Sequence, residues 1–311
     1  MTFGRESDEQ QSDSVLNTFI DAGGNFLDTA NSYGNGASEE ILGRLIKGKR
    51  DNLIVATKCR LRVGPGTNDI GASRRHIRMS VESSLRRLQT DWIDLFQMHA
   101  WDPKTPIEET WSTLNDLVTA GTVRYLGVSQ YAAWQIAQTM GVAALHGWES
   151  LVSVQPEYSL VSRGAERELL PLARQSNLAV MPWSPLGGGI LTGKYRPGEA
   201  VPEDSRAAQA SPAAGMVQDR LSTQVLVLEQ VQRTAAALEK TAAQVALNWV
   251  LDSPGVTSPV VGARTVEQLQ QNLGAVGWVM PVAERAALDD ASALQVDYPE
   301  SAMQALGLRV Y

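Results

Sequence analysis

The sequence predicts an α/β fold, and specifically a (β/α)₈ TIM barrel. Short runs rich in apolar and β-branched residues alternate with helical patterns along most of the 311 residues. These runs are apolar throughout instead of alternating with polar residues, which is typical of strands buried on both faces of a parallel sheet. No G-x-G-x-x-G motif follows the first runs. Its absence disfavours a dinucleotide-binding doubly wound sheet and favours the barrel.

Seven runs are predicted to be strands. In chain order they are NFLDTA (25–30), NLIVATKC (52–59), DWIDLFQMH (91–99), TVRYLGVS (122–129), LVSVQPEY (151–158), LAVMPWS (178–184) and PVVGA (259–263). Helical patterns lie at 14–23, 38–46, 73–89, 106–121, 132–147, 165–175 and 265–276. The order of elements is therefore the repeated strand–helix unit of a barrel.

The predicted strand count is one short of eight. The opening MTFG resembles the end of a first strand that is missing or truncated at the N-terminus. A seven-stranded arc would leave two unpaired edges, which is unfavourable. Either the chain begins upstream of Met1 or another segment fills the gap, and we favour the first explanation. One barrel domain is expected over residues 1–311, with a lid loop at about 194–221 and a C-terminal tail at about 295–311 that contributes to the substrate pocket.

The composition excludes several classes of function. A net charge of −7 and a pI near 5.1 argue against binding to nucleic acid or to an anionic membrane surface. The single cysteine, Cys59, excludes an internal disulfide and a thiolate metal cluster. No apolar run approaches the roughly 18 residues of a membrane span, and the first ten residues lack the pattern of a signal peptide. We expect a cytoplasmic protein without a metal site.

Polar residues stand at the predicted carboxyl ends of three strands and in one following loop. Asp28, Lys58 and His99 end strands, and Tyr33 lies in the loop after Asp28. Singly, each has an ordinary explanation: a turn cap, an edge cation, a core histidine and a loop aromatic. Because strand ends converge on one site in a barrel, their equivalent positions together indicate catalysis.

The four residues also form a plausible chemical unit. A tyrosine titrates near 10 in water, which is too high for an efficient proton donor at neutral pH. A buried ammonium at Lys58 is expected to lower the pKa of Tyr33, while Asp28 holds Lys58 in place. His99 would orient a carbonyl oxygen. The product is a general acid directed at a C=O group, and the reaction then needs a hydride.

The motifs resemble those of the aldo-keto reductases. They comprise DTANSYGNGASEEILG, the strand ending TK, the strand ending in His99, GVSQ, QPEYS, PWSPLGGGILTGKY and GARTVEQLQQN, in that order over essentially the whole chain. The long lid places the resemblance with bacterial aldo/keto reductases and potassium-channel β-subunits. The resemblance implies a barrel that uses NAD(P)H and a catalytic tetrad of Asp28, Tyr33, Lys58 and His99. It implies reduction of a small aldehyde or ketone, with Tyr33 as general acid.

The resemblance also implies a set of cofactor-binding residues. Ser129 and Gln155 match side chains that bind the nicotinamide carboxamide, and Trp183 matches the aromatic that stacks on that ring. Gln130 stands where the family more often has Asn. The implied set is Ser129, Gln130, Gln155, Trp183, Ser184, Leu186, Gly188, Lys194, Arg206, Gly262, Arg264, Gln268 and Asn272.

The choice of nicotinamide cofactor depends mainly on Arg264. With Gly262, Gln268 and Asn272 it resembles the adenosine-phosphate pocket of the family, just before a helix N-terminus that already favours an anion. A guanidinium there can bind a ribose 2′-phosphate, which points to NADP(H). The alternative is a solvated arginine that opens a helix. The SPLGGG segment (184–189) resembles the pyrophosphate-lining turn, or else is an ordinary flexible turn.

Two other functions are considered. A channel β-subunit-like regulatory barrel would bind NADPH with little turnover, but those subunits carry Asn where this chain has His99. An aldolase-type barrel would use Lys58 as a Schiff-base amine, but that chemistry leaves the cofactor motifs without a purpose. The leading prediction is an NADPH-dependent oxidoreductase. Its substrate and oligomeric state are not readable from the sequence.

Overall fold

The computed structural model describes residues 2–195, 208 and 212–308 of the chain. The chain divides into two compact units, each with its own packing. The first consists of Met1–Pro156, Asn177–Met181 and Val260–Gln270. The second consists of Glu157–Ser176, Pro182–Pro259 and Gln271–Tyr311.

The first unit contains a six-stranded parallel sheet in which sheet order equals chain order. This order is what successive strand–helix–strand units produce. The interior of β2 and most of β3 are buried, as the continuous apolar runs predict, whereas Arg124 and Tyr125 of β4 are exposed. The strands are β1 Phe26–Asp28, β2 Ile54–Cys59, β3 Ile93–Met98, β4 Val123–Ser129, β5 Leu151–Gln155 and β6 Ala179–Val180.

The helices alternate with these strands and continue through the second unit. They are α1 Glu9–Asp21, α2 Ala37–Leu45, α3 Arg74–Leu88, α4 Ile107–Thr119, α5 Ala133–His146, α6 Leu169–Gln175, α7 Pro212–Thr223, α8 Val225–Ala237, α9 Ala242–Leu251, α10 Val266–Leu273, α11 Val282–Ala291 and α12 Glu300–Ala305. Short 3₁₀ turns occupy Tyr33–Gly36, Arg50–Asn52, Gly164–Glu166 and Gly187–Thr192.

Side-chain caps start several helices. Asp8 accepts a hydrogen bond from the Gln11 N–H before α1, and the Gln11 side chain accepts one from the Asp8 backbone N–H. Ser73 caps α3 through the His76 N–H. Such caps satisfy otherwise unpaired N–H groups and each contributes about 1 kcal/mol of stability. The capping side chains of Asp8 and Ser73 thus mark the starts of α1 and α3, and α1 begins five residues before the helical pattern predicted at 14–23.

The second unit packs around aromatic side chains. Tyr158 and Trp249 are both buried, with ring centroids 5.4 Å apart. The Trp249 indole N–H donates to Asp289 on α11 at 2.8 Å. The guanidinium of Arg163 lies 5.1 Å from the Trp249 ring and pairs with Glu166 at 2.8 Å. The Trp249 indole N–H is therefore paired while the apolar surface of the ring is removed from water.

The predicted α/β class with a parallel sheet is confirmed, as are the first six predicted strands. The prediction of a strand at 259–263 is wrong: this segment has no strand hydrogen bonding in the described structure. Instead, the hydroxyls of Thr2 and Ser7 donate to the carbonyls of Ala263 and Arg264 at 3.4 and 3.2 Å. The end of this segment is thus bound by side-chain hydroxyls, and the segment does not form a strand.

The described residues include most of the N-terminal segment and the tail, and part of the predicted lid. Residues 2–7 form a tight turn in which the N–H groups of Arg5, Glu6 and Ser7 donate to the Thr2 carbonyl. Residues 212–221 of the predicted lid lie in α7, whereas 196–207 and 209–211 lie outside the described residues. The tail contains α12. Within the described part of the chain, no helix has both the length and the apolar character to cross a bilayer.

Candidate active site

Three neighbouring strands end in the predicted catalytic residues. Asp28 is the last residue of β1, Lys58 the penultimate residue of β2, and His99 directly follows β3. The strands are parallel, with Asp28 opposite Ala56 and Lys58 opposite Gln97 in the register. Because parallel strands end at the same edge of a sheet, the three side chains are brought to one place, as predicted.

Asp28 and Lys58 form a buried ion pair. The Lys58 side chain is 0% exposed and that of Asp28 is 6% exposed. The Lys58 ammonium donates to Asp28 Oδ2 and, at 2.9 Å, to the carbonyl of Thr29. Asp28 Oδ1 accepts from the amides of Gln97 and Gln155 at 3.1 and 3.0 Å. A buried charge pair is tolerable only with such additional hydrogen bonds, which also fix the position of the ammonium.

Tyr33 is carried by a tight left-handed turn between β1 and α2. Gly34, Asn35 and Gly36 have φ values of 59°, 55° and 99°. Glycine adopts these angles without a steric cost, and asparagine tolerates them better than most residues. The turn leaves the Tyr33 side chain half-buried, with its ring centroid 5.3 Å from the Lys58 ammonium. The sequence G-N-G therefore has a direct conformational role here.

The pKa of Tyr33 differs from the expectation. Burial raises the pKa of the Tyr33 phenol, the charge of Lys58 lowers it and the charge of Asp28 raises it, with a net increase above 10. The predicted net lowering is therefore wrong, because the sequence shows the ammonium but not the desolvation. The phenol keeps its proton at neutral pH, as a proton donor must. Lys58 still stabilises the phenolate that forms when the proton leaves.

His99 is neutral in this environment. Burial, together with the nearby charge of Lys58, lowers the pKa of His99 to about 3. Its backbone N–H donates to the Cys59 carbonyl at 2.9 Å, and its carbonyl accepts from the Gln130 amide at 3.1 Å. The ring stands edge-on to that of Tyr33, with centroids 5.6 Å apart. Its Nδ1 is buried and has no hydrogen-bond partner among the described residues.

Three predicted cofactor residues stand beside this cluster in the first unit. Ser129 and Gln155 end β4 and β5, and the Ser129 hydroxyl donates to the Gln155 carbonyl at 2.8 Å. Gln130 follows Ser129 with a φ of 53°. Gln155 also donates to Asp28, so the predicted carboxamide-binding group is attached directly to the ion pair.

Sequence reasoning missed Gln97. It lies within β3, is fully buried and donates to Asp28, while its Oε1 has no partner among the described residues. The available signal was a single amide in the apolar run IDLFQM. A buried polar residue in such a run requires a hydrogen-bond partner.

The predicted phosphate-pocket residues lie just before α10 and within it. The Arg264 N–H donates to the Gln268 side chain at 2.9 Å, across the first turn of the helix. Asn272 lies near the end of α10. At Gly262, an added Cβ would be 3.7 Å from Thr2, an ordinary contact. Space alone therefore does not require a glycine at this position.

In the second unit, residues 184–189 form a glycine-rich turn. Ser184 has a φ of 55°, its hydroxyl accepts from the Gly188 N–H at 3.0 Å, and the three glycines 187–189 have φ values of 60°, 75° and 102°. A Cβ on Gly188 would lie 2.8 Å from Val217. The turn thus requires glycine and brings backbone close to whatever lies over it. Leu186 precedes the glycines.

The remaining predicted cofactor residues are Trp183, Lys194 and Arg206. The Trp183 carbonyl accepts from the Tyr158 N–H at 3.4 Å, and its buried indole N–H has no partner among the described residues. Lys194 is exposed, with its ammonium 5.1 Å from the ring centroid of Tyr195. Arg206 lies outside the described residues.

Comparison with known proteins identifies the family. The sequence pattern of the aldo/keto reductase family matches residues 1–293. The chain belongs to the aldo/keto reductase family. Its members are NAD(P)H-dependent oxidoreductases, so the prediction of an enzyme of this class is confirmed.

Relatives within the family include oxidoreductases and channel subunits. An uncharacterized oxidoreductase of Bacillus subtilis, YrpG, is 38% identical over 287 residues, covering 89% of this chain and 85% of that protein. A probable voltage-gated potassium channel subunit beta of Arabidopsis thaliana is 37% identical over 294 residues, covering 93% and 88%. The norsolorinic acid reductase stcV of Emericella nidulans is 34% identical over 294 residues, covering 92% and 73%. This aldo/keto reductase is thus similar both to reductases and to channel subunits.

Proposed function

We propose that this protein is an NADP(H)-dependent reductase that converts an aldehyde or ketone to an alcohol. The observation that supports this most strongly is the buried Asp28–Lys58 pair beside a protonated Tyr33 and a neutral His99. Two uncharged donors next to a buried ammonium suit a carbonyl oxygen that gains negative charge and then a proton. The similarity to a fungal norsolorinic acid reductase agrees with this reaction class.

The side chains present fit a nicotinamide dinucleotide. Ser129 and Gln155 offer a hydroxyl and an amide to a carboxamide, and the glycine turn after Ser184 allows close approach of a pyrophosphate. Arg264 lies before α10, where a guanidinium and helix N–H groups both favour a 2′-phosphate. When bound, the cofactor supplies the hydride. Lys194 and Arg206 remain proposed pyrophosphate contacts, and Trp183 the proposed stacking partner.

Side chains of the protein carry out the proton transfer. Tyr33 donates its phenolic proton to the carbonyl oxygen of the substrate. The Lys58 charge, 5.3 Å from the ring centroid, stabilises the phenolate that remains. Asp28 keeps this ammonium charged and in place through Oδ2. Neutral His99 donates from a ring nitrogen to the same carbonyl oxygen and orients it, at no cost of burying a second cation.

We propose further that residues 1–311 form one aldo-keto reductase barrel domain of the (β/α)₈ type, with its first strand missing or truncated, a lid at about 194–221 and a tail at about 295–311, and that it takes a small carbonyl substrate. Six parallel strands in sequential order support this arrangement. The ring of Trp101, two residues after His99, stands edge-on to the rings of Tyr131 and Trp134, with ring centroids 5.2 and 5.7 Å apart. This aromatic cluster supports an aromatic aldehyde as the first substrate to try. A cytoplasmic location remains a prediction.

The proposed activity is tested by following NADPH oxidation with a panel of aromatic and aliphatic aldehydes and ketones. We expect steady-state turnover that depends on the carbonyl compound, with NADPH much preferred over NADH. Sustained NADPH binding without any carbonyl-dependent oxidation contradicts the proposal.

A regulatory barrel that binds NADPH with little turnover is the second candidate. The observation that favours it is the 37% identity to a probable voltage-gated potassium channel subunit beta. The neutral, buried His99 beside Tyr33 favours turnover instead. A single oxidation of bound NADPH followed by arrest would support the regulatory candidate over the reductase.

A further inference from the structure

The first turn of α2 contacts both strands that carry the ion pair. Helix α2 begins at Ala37, directly after the turn that carries Tyr33. The hydroxyls of Ser38 and Thr29 are 2.9 Å apart, and Thr29 directly follows β1. Glu39 Oε1 accepts from the Thr57 hydroxyl at 2.5 Å, and Thr57 lies on β2. One helical turn therefore holds both strands next to the tyrosine.

Glu39 is a fully buried carboxylate. Its side chain is 0% exposed, and Oε2 accepts from Arg87 Nε on α3 at 2.7 Å. Both oxygens are thus engaged, one by a strand and one by a cation. A carboxylate in the first turn of a helix is also favoured by the helix dipole. Replacing a buried ion pair by apolar residues is often neutral or stabilising, so stability alone does not explain this carboxylate.

The bond from Glu39 reaches the catalytic lysine through one residue of backbone. Thr57 directly precedes Lys58, and successive side chains of a strand point to opposite faces. Glu39 therefore binds β2 through the Thr57 hydroxyl on one face of the strand, while Lys58 presents its ammonium to Asp28 on the other face. On the other side, the Thr29 hydroxyl shares a hydrogen bond with the Ser38 hydroxyl, and the Thr29 carbonyl accepts from the Lys58 ammonium.

We call the hydrogen bond between Glu39 and the Thr57 hydroxyl the tether. Close packing of α2 on α3 keeps it short. A Cβ on Gly43 of α2 would lie 2.3 Å from the Arg87 carbonyl, and a Cβ on Gly36 would lie 2.9 Å from Arg87 Cδ. Because neither glycine has a side chain, α2 and α3 can pack in direct contact. This packing brings the Arg87 guanidinium to Glu39. Movement of α2 would shift Tyr33 and the tether together.

We propose that Glu39 is a positioning residue for proton transfer, which holds Lys58 at its working distance from Tyr33 through the hydroxyl of Thr57. The proposal rests on the proposed function of Tyr33 as proton donor. Because small displacements of catalytic groups can cost up to about a hundredfold in rate, loss of the tether should act on kcat more than on cofactor affinity.

The experiment compares four variants of the full chain. Thr57→Val removes the hydroxyl and keeps the shape of the side chain, whereas Thr57→Ser keeps a hydroxyl at this position. Glu39→Gln keeps an oxygen for Thr57 and removes the charge that faces Arg87. Thr139→Val is the matched control, because Thr139 is equally buried but bonds only within α5, to the Gln135 carbonyl at 2.8 Å.

Each variant is measured for kcat, NADPH affinity, thermal stability and the pH titration of 3-fluorotyrosine placed at position 33, followed by ¹⁹F NMR. We expect Thr57→Val to lower kcat about tenfold with unchanged NADPH affinity. The ¹⁹F midpoint should rise, because a displaced Lys58 lowers the pKa of Tyr33 less. Glu39→Gln keeps an acceptor oxygen for Thr57 and should therefore change both readouts less than Thr57→Val does. Thr57→Ser should leave both close to wild type, and Thr139→Val should change neither.

Wild-type kcat and an unchanged ¹⁹F midpoint in folded Thr57→Val would overturn the proposal. A fall in kcat that Thr139→Val reproduces at equal loss of stability would overturn it as well. If wild-type protein reduces no carbonyl compound but Thr57→Val still shifts the midpoint, the positioning role stands and the proposed reaction fails.

Discussion

Replacing Lys58 by methionine removes the positive charge beside Tyr33 while keeping an unbranched side chain. The ammonium lies 5.3 Å from the ring centroid of Tyr33, and its own side chain is 0% exposed. Two unit charges at this separation interact by about 3 kcal/mol at an effective dielectric constant of about 20. If that interaction is realised when the phenolate forms, its loss lowers kcat about a hundredfold.

The same substitution leaves Asp28 buried without its cation. Breaking a buried pair from one side costs about 3–5 kcal/mol of stability. The double variant Asp28→Asn/Lys58→Met removes both charges and should regain most of that stability, because the amide oxygen introduced at position 28 can still accept from Gln97 and Gln155. It should not regain activity, since the phenolate still lacks its cation.

The assay pairs urea unfolding with kcat at saturating NADPH and a reactive aldehyde. We expect Lys58→Met to lose both stability and rate, and the double variant to recover only stability. A kcat within about threefold of wild type in the single variant would refute the electrostatic role of Lys58. Recovery of kcat together with stability in the double variant would show that the loss was structural.

Two further predictions concern the cofactor and pH. Arg264→Ala should weaken NADPH binding at least about tenfold and NADH binding little, because only NADPH carries the 2′-phosphate; fluorescence titration with both cofactors checks this, and equal losses contradict the assigned role. The pKa of His99 is lowered to about 3 in the folded state, against about 6.5 in an unfolded chain. The unfolded state therefore binds the extra proton between these values, so His99 makes the folded state less stable as pH falls from about 6.5 towards 3. Urea unfolding of His99→Asn should show a pH slope smaller than that of wild type by up to about 1.4 kcal/mol per pH unit in this window. An unchanged slope contradicts a neutral, buried His99.

The strands were predictable because burial on both faces leaves a continuous apolar run. Residues 54–59 and 93–98 show this pattern and form β2 and β3. The same reasoning failed at 259–263, because an apolar run shows that a segment avoids water and does not show which groups its backbone bonds. There the carbonyl of Ala263 accepts from Thr2, and that of Arg264, just after the segment, accepts from Ser7; both hydroxyls lie more than 250 residues away in sequence.

The meeting of Asp28, Lys58 and His99 at one place was predictable because parallel strands end at one edge, so residues far apart in sequence meet there. The pKa of Tyr33 was not predictable in direction, since desolvation depends on the packing of the whole loop. Gln97 and Glu39 were also missed. Both look ordinary in the sequence, one as an amide in a strand and one as an acidic residue in the first turn of a helix, and only their partners show their roles.

Single-turnover oxidation of bound NADPH on mixing with a reactive aldehyde tests most directly whether Tyr33 is the proton donor. Wild-type protein and Tyr33→Phe are compared at equal NADPH occupancy, with cofactor affinity measured separately. We predict that Tyr33→Phe binds NADPH as wild type does and oxidises it at least about a hundredfold more slowly, since general acid catalysis contributes about 10²–10⁴-fold. Oxidation by Tyr33→Phe at a rate close to wild type would contradict the assignment.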